Sequence, residues 1–158
     1  MKIQKTNAAR LLDRAKVKYE LIPYTVDEND LSAAHLAAQL GQDLECIFKT
    51  LVLRGDKSGY FVCLIPGGDE VDLKKAAKTS GNKNCAMIPM KDLQAVTGYL
   101  RGGCSPLGMK KQFPTFIHQS AKSHSLVYVS AGQRGLQIYL APEDLATAAG
   151  AEFADLTI

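Results

Sequence analysis

CIFKTLVLR (Cys46–Arg54) and YFVCLIP (Tyr60–Pro66) are two apolar runs rich in β-branched and aromatic residues, separated by the polar turn GDKSG. Two strand-like runs joined by a short Gly-containing turn read as a β-hairpin. Side chains alternate between faces along a strand, and Ile47–Leu53 is apolar on both. The first strand therefore sits inside the protein, and Lys49 in its middle is out of place. An ammonium group is costly to bury without a partner, so Lys49 either snorkels to an edge or faces something anionic.

Working outward, Thr6 or Asn7 can cap a helix that carries Ala8, Leu11, Leu12 and Ala15 at helical spacing. YELIPY (Tyr19–Tyr24) reads as extended, TVDEND as a polar connection, and Ser32–Leu40 as a short helix stopped by Gly41. Beyond the hairpin, Asp69 or Asp72 opens a helix over LKKAAKTSG, CAMIP is a short strand, and Pro89 starts a helix ending at Gly98. TFIHQ, LVYVS and GLQIYL are three further strands. The APEDLATAAG helix has Glu143 and Asp144 in its first turn, where the helix dipole favours them, and AEFADL adds a final short strand. Helices and hairpins interleaved in this way predict a mixed sheet in an α/β domain, not a doubly wound parallel one.

The 158 residues suit one domain with a real core, and 46% hydrophobic with 22% charged residues excludes a disordered chain. A net charge of +3 permits contact with nucleic acid without demanding it. The charges are uneven, however. Lys74, Lys75, Lys78 and Lys83 cluster, a pattern that solvated helix faces also produce, and Arg101, Lys110 and Lys111 flank a Gly-rich loop. Cys46, Cys63, Cys85 and Cys104 show no metal-ligand spacing, so no metal is expected and reduced thiols in a cytoplasmic protein fit best. The amino terminus, MKIQKTNAARLL, lacks an apolar core of signal-peptide length, and no run suits a membrane helix.

The loop in question is GYLRGGCSPLGMKK (Gly98–Lys111), with Gly98, Gly102, Gly103 and Gly108 in close succession; SAGQRG (Ser130–Gly135) is a second. Dense glycine lets backbone amides approach a ligand closely, which suggests a pocket for a polar, anionic group. Tight turns alone would give the same composition.

FKTLV (Phe48–Val52), DLKKAAK (Asp72–Lys78), GYLRGGCSPLGMKK and YVSAGQRGLQI (Tyr128–Ile138), in this order and spacing, resemble the YbaK/EbsC family of Cys-tRNA(Pro) deacylases, relatives of the prolyl-tRNA synthetase editing domain. The similarity runs over nearly the whole chain. It implies residues 1–158 as one editing domain, with a barrel-like mixed sheet flanked by helices. It also implies an enzyme that removes, in trans, the cysteine that prolyl-tRNA synthetase attaches in error to its tRNA. Cysteine and proline are similar in size, and a pocket discriminates poorly between near-isosteres.

By this resemblance Lys49 matches the family's essential lysine, which holds the phosphate or ribose end or stabilises developing negative charge. Tyr24 matches a tyrosine lining the pocket, and Gly102, Gly103, Ser130 and Gly132 match loops that bind the aminoacyl-adenosine end. Gln137, also on the substrate side, stands where some members carry an aspartate, and an amide supplies no countercharge and no general base. The partners implied are the acceptor end of tRNA and prolyl-tRNA synthetase, with no cofactor, membrane or DNA.

The residues suit that chemistry. No Ser-His-Asp or Cys-His grouping is evident, and His35, His118 and His124 sit in unrelated sequence surroundings. Cys104 reads as a small apolar filler, and Ser105 and Ser130 as turn residues. An aminoacyl ester is already activated, so positioning and an electrostatic clamp suffice. In the family the substrate thiol itself attacks the carbonyl, closing a thiolactone and expelling tRNA. The rival readings are a deacylase for alanyl- or seryl-tRNA using a ribose-oriented water, and a non-catalytic module that binds tRNA or a synthetase. A nucleotide-binding protein is disfavoured because no P-loop or strand-linked GxGxxG is present.

Overall fold

The structure, a computed structural model, describes residues 5–158; the first four residues of the amino-terminal segment read above lie outside it. Helix α1 (Asn7–Arg14) is capped by Thr6, whose hydroxyl accepts from the Ala9 N–H at 3.2 Å, and it buries Ala8, Ala9 and Leu12. Strand β1 (Tyr19–Pro23) follows, then α2 (Ala33–Leu40), which is capped by Ser32 and closed at a left-handed Gly41. After a 3-10 turn at Leu44–Cys46 come β2 (Phe48–Gly55) and β3 (Gly59–Pro66), the expected antiparallel hairpin with Lys49 opposite Ile65.

Asp72 rather than Asp69 caps α3 (Leu73–Thr79), accepting from the N–H groups of Lys74 and Lys75. Next are β4 (Cys85–Met87), a 3-10 turn at Met90–Asp92 and α4 (Leu93–Thr97), which ends at Gly98. The Gly-rich loop leads to β5 (Thr115–His118), a 3-10 turn, β6 (Val127–Ser130), β7 (Leu136–Leu140), α5 (Pro142–Ala149) and β8 (Ala151–Ala154).

The strands form two sheets. One has five strands in the order β4-β2-β3-β5-β8; the other has three, β1-β7-β6, all antiparallel. The larger sheet is mixed, because β3 pairs with β5 and β5 with β8 in parallel. A parallel bridge between Ile47 and Tyr128 stitches the sheets together, so the expected barrel-like sheet exists as two sheets joined at that point and left unclosed.

The main core lies between them. Leu136, Ile138 and Leu140 on one face of β7 pack with Phe48, Leu64, Ile117 and the inner faces of α1 and α5. Burying each such aliphatic side chain stabilises by about 1.5–3 kcal/mol, ample to fix β7 in the middle of its sheet. On the other face of β7, Tyr139 stacks on Tyr128 with ring centroids 4.1 Å apart. The carboxyl-terminal end is pinned: the Leu156 N–H donates to His118 Nδ1 at 3.0 Å, and Lys75 Nζ donates to the Thr157 carbonyl at 2.7 Å. Among the described residues no helix is long and apolar enough to cross a membrane, and the four cysteines are unbridged.

Candidate functional site

A cavity of about 430 Å³ opens beside β2. Its floor is Phe48–Val52, and its walls are the segment from Tyr24 to Leu36, the β4–α4 connection, the Gly-rich loop and the ends of β6 and β7. The register explains why the cavity is there. The Gly67 N–H donates to the Ile47 carbonyl at 2.7 Å, so Ile47 and the alternate residues Lys49, Leu51 and Leu53 exchange hydrogen bonds with β3. Thr50 and Val52 therefore direct their backbone groups to the opposite edge of β2. There β4 reaches only as far as Leu53, with the Ile88 N–H donating to the Val52 carbonyl, and β6 packs alongside with its one β-bridge among the described residues at Ile47. Between these two attachments the edge of β2 at Thr50 belongs to no ladder among the described residues and lines the cavity.

Tyr24, Lys49, Gly102, Ser130 and Gln137, five of the residues singled out from the sequence, all line this cavity. Lys49 is half-buried, and its ammonium donates to the Gly67 carbonyl at 3.3 Å. Burial pulls the Lys49 pKa down from its ordinary value, partly opposed by the charges of Asp69 and Glu70. None of the ion pairs among the described residues includes it. Its ammonium rests on a backbone carbonyl, with no carboxylate of the described residues at ion-pair distance.

Gln137 is 4% exposed, opposite Ser130 on β6 and Ile22 on β1, and its Oε1 is buried without a hydrogen-bond partner. The hydroxyl of Thr50 is likewise buried and unpartnered. Buried polar atoms are nearly always paired, so these two oxygens in the lining of one cavity are the places where a ligand or water would hydrogen-bond.

Gly103 and Gly132 lie outside the lining. A Cβ on Gly103 would stand 3.0 Å from the backbone of Gln133 and Arg134, and one on Gly132 would stand 2.9 Å from the Tyr99 ring. Both let the two Gly loops pack against each other, which sets the shape of the pocket from behind. The Ser130 hydroxyl accepts from the Gly132 N–H at 3.2 Å, as expected of a turn residue. Cys104 lines the cavity, but burial pushes its thiol up to about 11, so it stays protonated and a poor nucleophile.

Three features escaped sequence reading. Thr50, beside Lys49, is one, although a hydroxyl in an otherwise apolar strand is itself a signal. The TVDEND connection forms the cavity mouth with Asp27 and Asp30. His35 also lines the cavity, its Nδ1 3.7 Å from Asp30 Oδ2, a pairing made by the turn into α2 and hidden among unrelated histidines in the sequence.

Residues 27–148 match the family described as the aminoacyl-tRNA editing domain. The chain belongs to that family. The enzyme class that accompanies it is aminoacyl-tRNA deacylase, with tRNA as the substrate carrier. The chain is 51% identical over 154 residues to EbsC of Enterococcus faecalis, a protein named as a Cys-tRNA(Pro)/Cys-tRNA(Cys) deacylase; the match covers 98% of this chain and 94% of that one.

Among solved structures, a protein designated APE2540 superposes with a TM-score of 0.88 at 22% identity, covering 97% of this chain and all of that one. A protein described as a trans-editing enzyme for prolyl-tRNA synthetase superposes with a TM-score of 0.82 at 23% identity, covering 98% and 99%. At such identities these two likenesses speak for the editing-domain fold alone.

Proposed function

We propose that this chain acts as one catalytic domain that removes cysteine from mischarged Cys-tRNA(Pro), and also accepts Cys-tRNA(Cys), with the substrate's own thiol as nucleophile. The observation that carries this reading is the Lys49 cavity: an ammonium without a carboxylate partner among the described residues, a strand edge outside any ladder and two unpartnered buried oxygens in the lining, with Cys104 held as a thiol. The identity to EbsC over nearly the full length supports cysteine as the amino acid. The tRNA(Pro) in the name that EbsC carries supports action alongside prolyl-tRNA synthetase.

The step needs little from the protein beyond placement. The cysteinyl sulfur bonds to its own carbonyl carbon, the C–O bond to the ribose breaks, and the thiol proton passes to the leaving ribose oxygen. The products are a thiolactone and free tRNA. A thiol with pKa near 8.5 is already a few per cent ionised at neutral pH, and enforced proximity contributes most of the acceleration. Lys49 and the Thr50 N–H offer donors to the tetrahedral oxyanion, and Gln137 Oε1 and Thr50 Oγ1 accept from the substrate's α-amine.

A second reading rests on His35. Paired with Asp30 at the mouth, it could activate water instead, giving a deacylase that also takes seryl or alanyl esters. A deacylation panel of Cys-, Ala-, Ser- and Pro-charged tRNA(Pro) with wild type and Lys49→Ala separates the two. Thiol-assisted closure is lost with serine in place of cysteine and falls by two or more orders of magnitude in Lys49→Ala. Persistent seryl cleavage that His35→Ala abolishes favours water. Binding of charged tRNA without any acceleration would leave only a binding module.

A further inference from the structure

The rim of the cavity is electrically divided, and the division bears on how the tRNA lies. Asp27 and Asp30 line one segment of it. Both carboxylates are engaged, Asp27 Oδ1 accepting from the Asn29 N–H at 2.9 Å and Asp30 Oδ1 from the Ser32 N–H at 3.1 Å. The Ser32 hydrogen bonds hold Asp30 below the usual carboxylate range, so it stays charged at neutral pH.

The other segment carries Arg101, exposed and in the lining, and behind it stands Arg134 from the second Gly loop, outside the lining itself. Arg134 Nε donates to the Arg101 carbonyl at 2.8 Å, and a Cβ built on Gly102 would stand 3.4 Å from both Arg134 Nε and Leu31 Cδ2. The guanidinium is thereby fixed beside Arg101 and Gly102 by one of its five N–H groups, leaving four in a fork. None of the ion pairs among the described residues uses Arg101 or Arg134.

We infer that Arg134, braced on the Arg101 carbonyl, and Arg101 itself are the anchor for phosphates of the acceptor strand, and that the Asp27–Asp30 segment repels those phosphates and so fixes the direction of entry. This rests on the reading of the cavity as an aminoacyl-ester site. A pre-oriented guanidinium fork matches phosphate geometry and loses little conformational entropy on binding. Because backbone contacts carry no sequence information, such an anchor accepts the acceptor end of any tRNA.

The probe is an uncharged, fluorescent acceptor-stem hairpin ending in CCA, titrated by anisotropy across a series of KCl concentrations. Wild type, Arg134→Ala, Arg134→Gln and Asp27→Asn are compared; Gln keeps a donor for the Arg101 carbonyl without the charge. Both Arg134 variants should bind about tenfold more weakly at low salt. Their plots of log affinity against log salt should be shallower by about 0.7, the loss of one single-strand phosphate contact. Asp27→Asn should leave that slope in place.

In deacylation, Arg134→Gln should lose about tenfold more on cysteinyl-tRNA than on cysteinyl-adenosine, which has no phosphate. An unchanged slope, equal losses on both substrates, or a larger slope change in Asp27→Asn would overturn the anchor. Should wild type cleave neither ester while Arg134→Gln still flattens the salt plot, the anchor stands and the deacylase reading fails.

Discussion

Replacing Gln137 by leucine should separate stability from function. Gln137 sits in the central strand β7 between Ile22 and Ser130 and is 4% exposed. Its Oε1 is buried and unpartnered. A buried acceptor left unsatisfied costs roughly 1–3 kcal/mol, and leucine of similar bulk removes that cost while adding apolar burial. The expected gain of about 1–2 kcal/mol raises Tm by about 2–8 °C for a domain of this size. The same change deletes the proposed acceptor for the substrate amine, costing about 10–100-fold in kcat/KM on cysteinyl-tRNA, as expected for a hydrogen bond worth about 1.5–3 kcal/mol. Chemical denaturation and single-turnover deacylation on the same preparations make the measurement. A Leu variant that unfolds more easily would show that Oε1 is already satisfied in the free protein. One that deacylates within twofold of wild type would show that the substrate never donates to it. Either result refutes the reasoning.

Gly132→Ala should cost about 2–4 kcal/mol in equilibrium unfolding, because φ is +102° and the added Cβ meets the Tyr99 ring at 2.9 Å. Gly41→Ala, at φ +64° with open space around it, should cost only about 1 kcal/mol, and similar losses would contradict the loop-packing role. Cys104, with its thiol pushed up to about 11, should react with iodoacetamide at pH 7.5 about two orders of magnitude more slowly than a free cysteine. Mass spectrometry finding it the first of the four cysteines alkylated would refute this. His118 is buried and accepts from the Leu156 N–H, and burial lowers its folded pKa below 6.5, opposed by Asp155 and Asp69 and reinforced by Lys75. The unfolded chain therefore takes the proton first, so stability is full above about pH 6.5 and falls as pH drops below it; His118→Asn, retaining an acceptor, should flatten that dependence.

What the sequence made legible was mostly local. Thr6, Ser32 and Asp72 mark helix starts through their own side-chain hydrogen bonds, and Gly41, Gly98 and Gly150 mark ends through their left-handed backbone. The hairpin was visible because both strands and their turn are contiguous. The parallel pairing of β3, β5 and β8, and the withdrawal of β1, β6 and β7 into a second sheet, depend on segments far apart in the chain whose partners no local pattern names. The site divides the same way. Lys49 stood out because an ammonium conflicts with an apolar strand. Thr50 did not, because a threonine suits a strand whether or not its hydroxyl is paired. Gly103 and Gly132 announced themselves as glycines but not what they contact, since two loops meeting is a tertiary event. His35 and Asp30 become a pair only once the turn into α2 is built.

The unpaired edge of β2 ties these pieces together. Protein interiors satisfy backbone N–H and C=O groups almost without exception, and open sheet edges are normally covered or kept short. Here β4 stops after three residues and is followed by Pro89 two positions on, while β6, paired with β7 along Val127–Ser130, bridges toward β2 only from Tyr128 to Ile47. The gap is as long as it is because neither neighbour extends into it, and Lys49, Thr50 and Gln137 cluster around it. If this edge exists to receive the ester, amide exchange should report it. In the free protein the Thr50 N–H should exchange much faster than those of Lys49 and Leu51, which donate to β3, although all three are consecutive, half-buried residues of one strand. A non-hydrolysable amide-linked cysteinyl-adenosine should slow Thr50 selectively, by the fold-excess of ligand over its Kd. Equal protection of the three amides without ligand would mean that the edge is already closed, and the oxyanion donor assigned to Thr50 would have to be sought elsewhere.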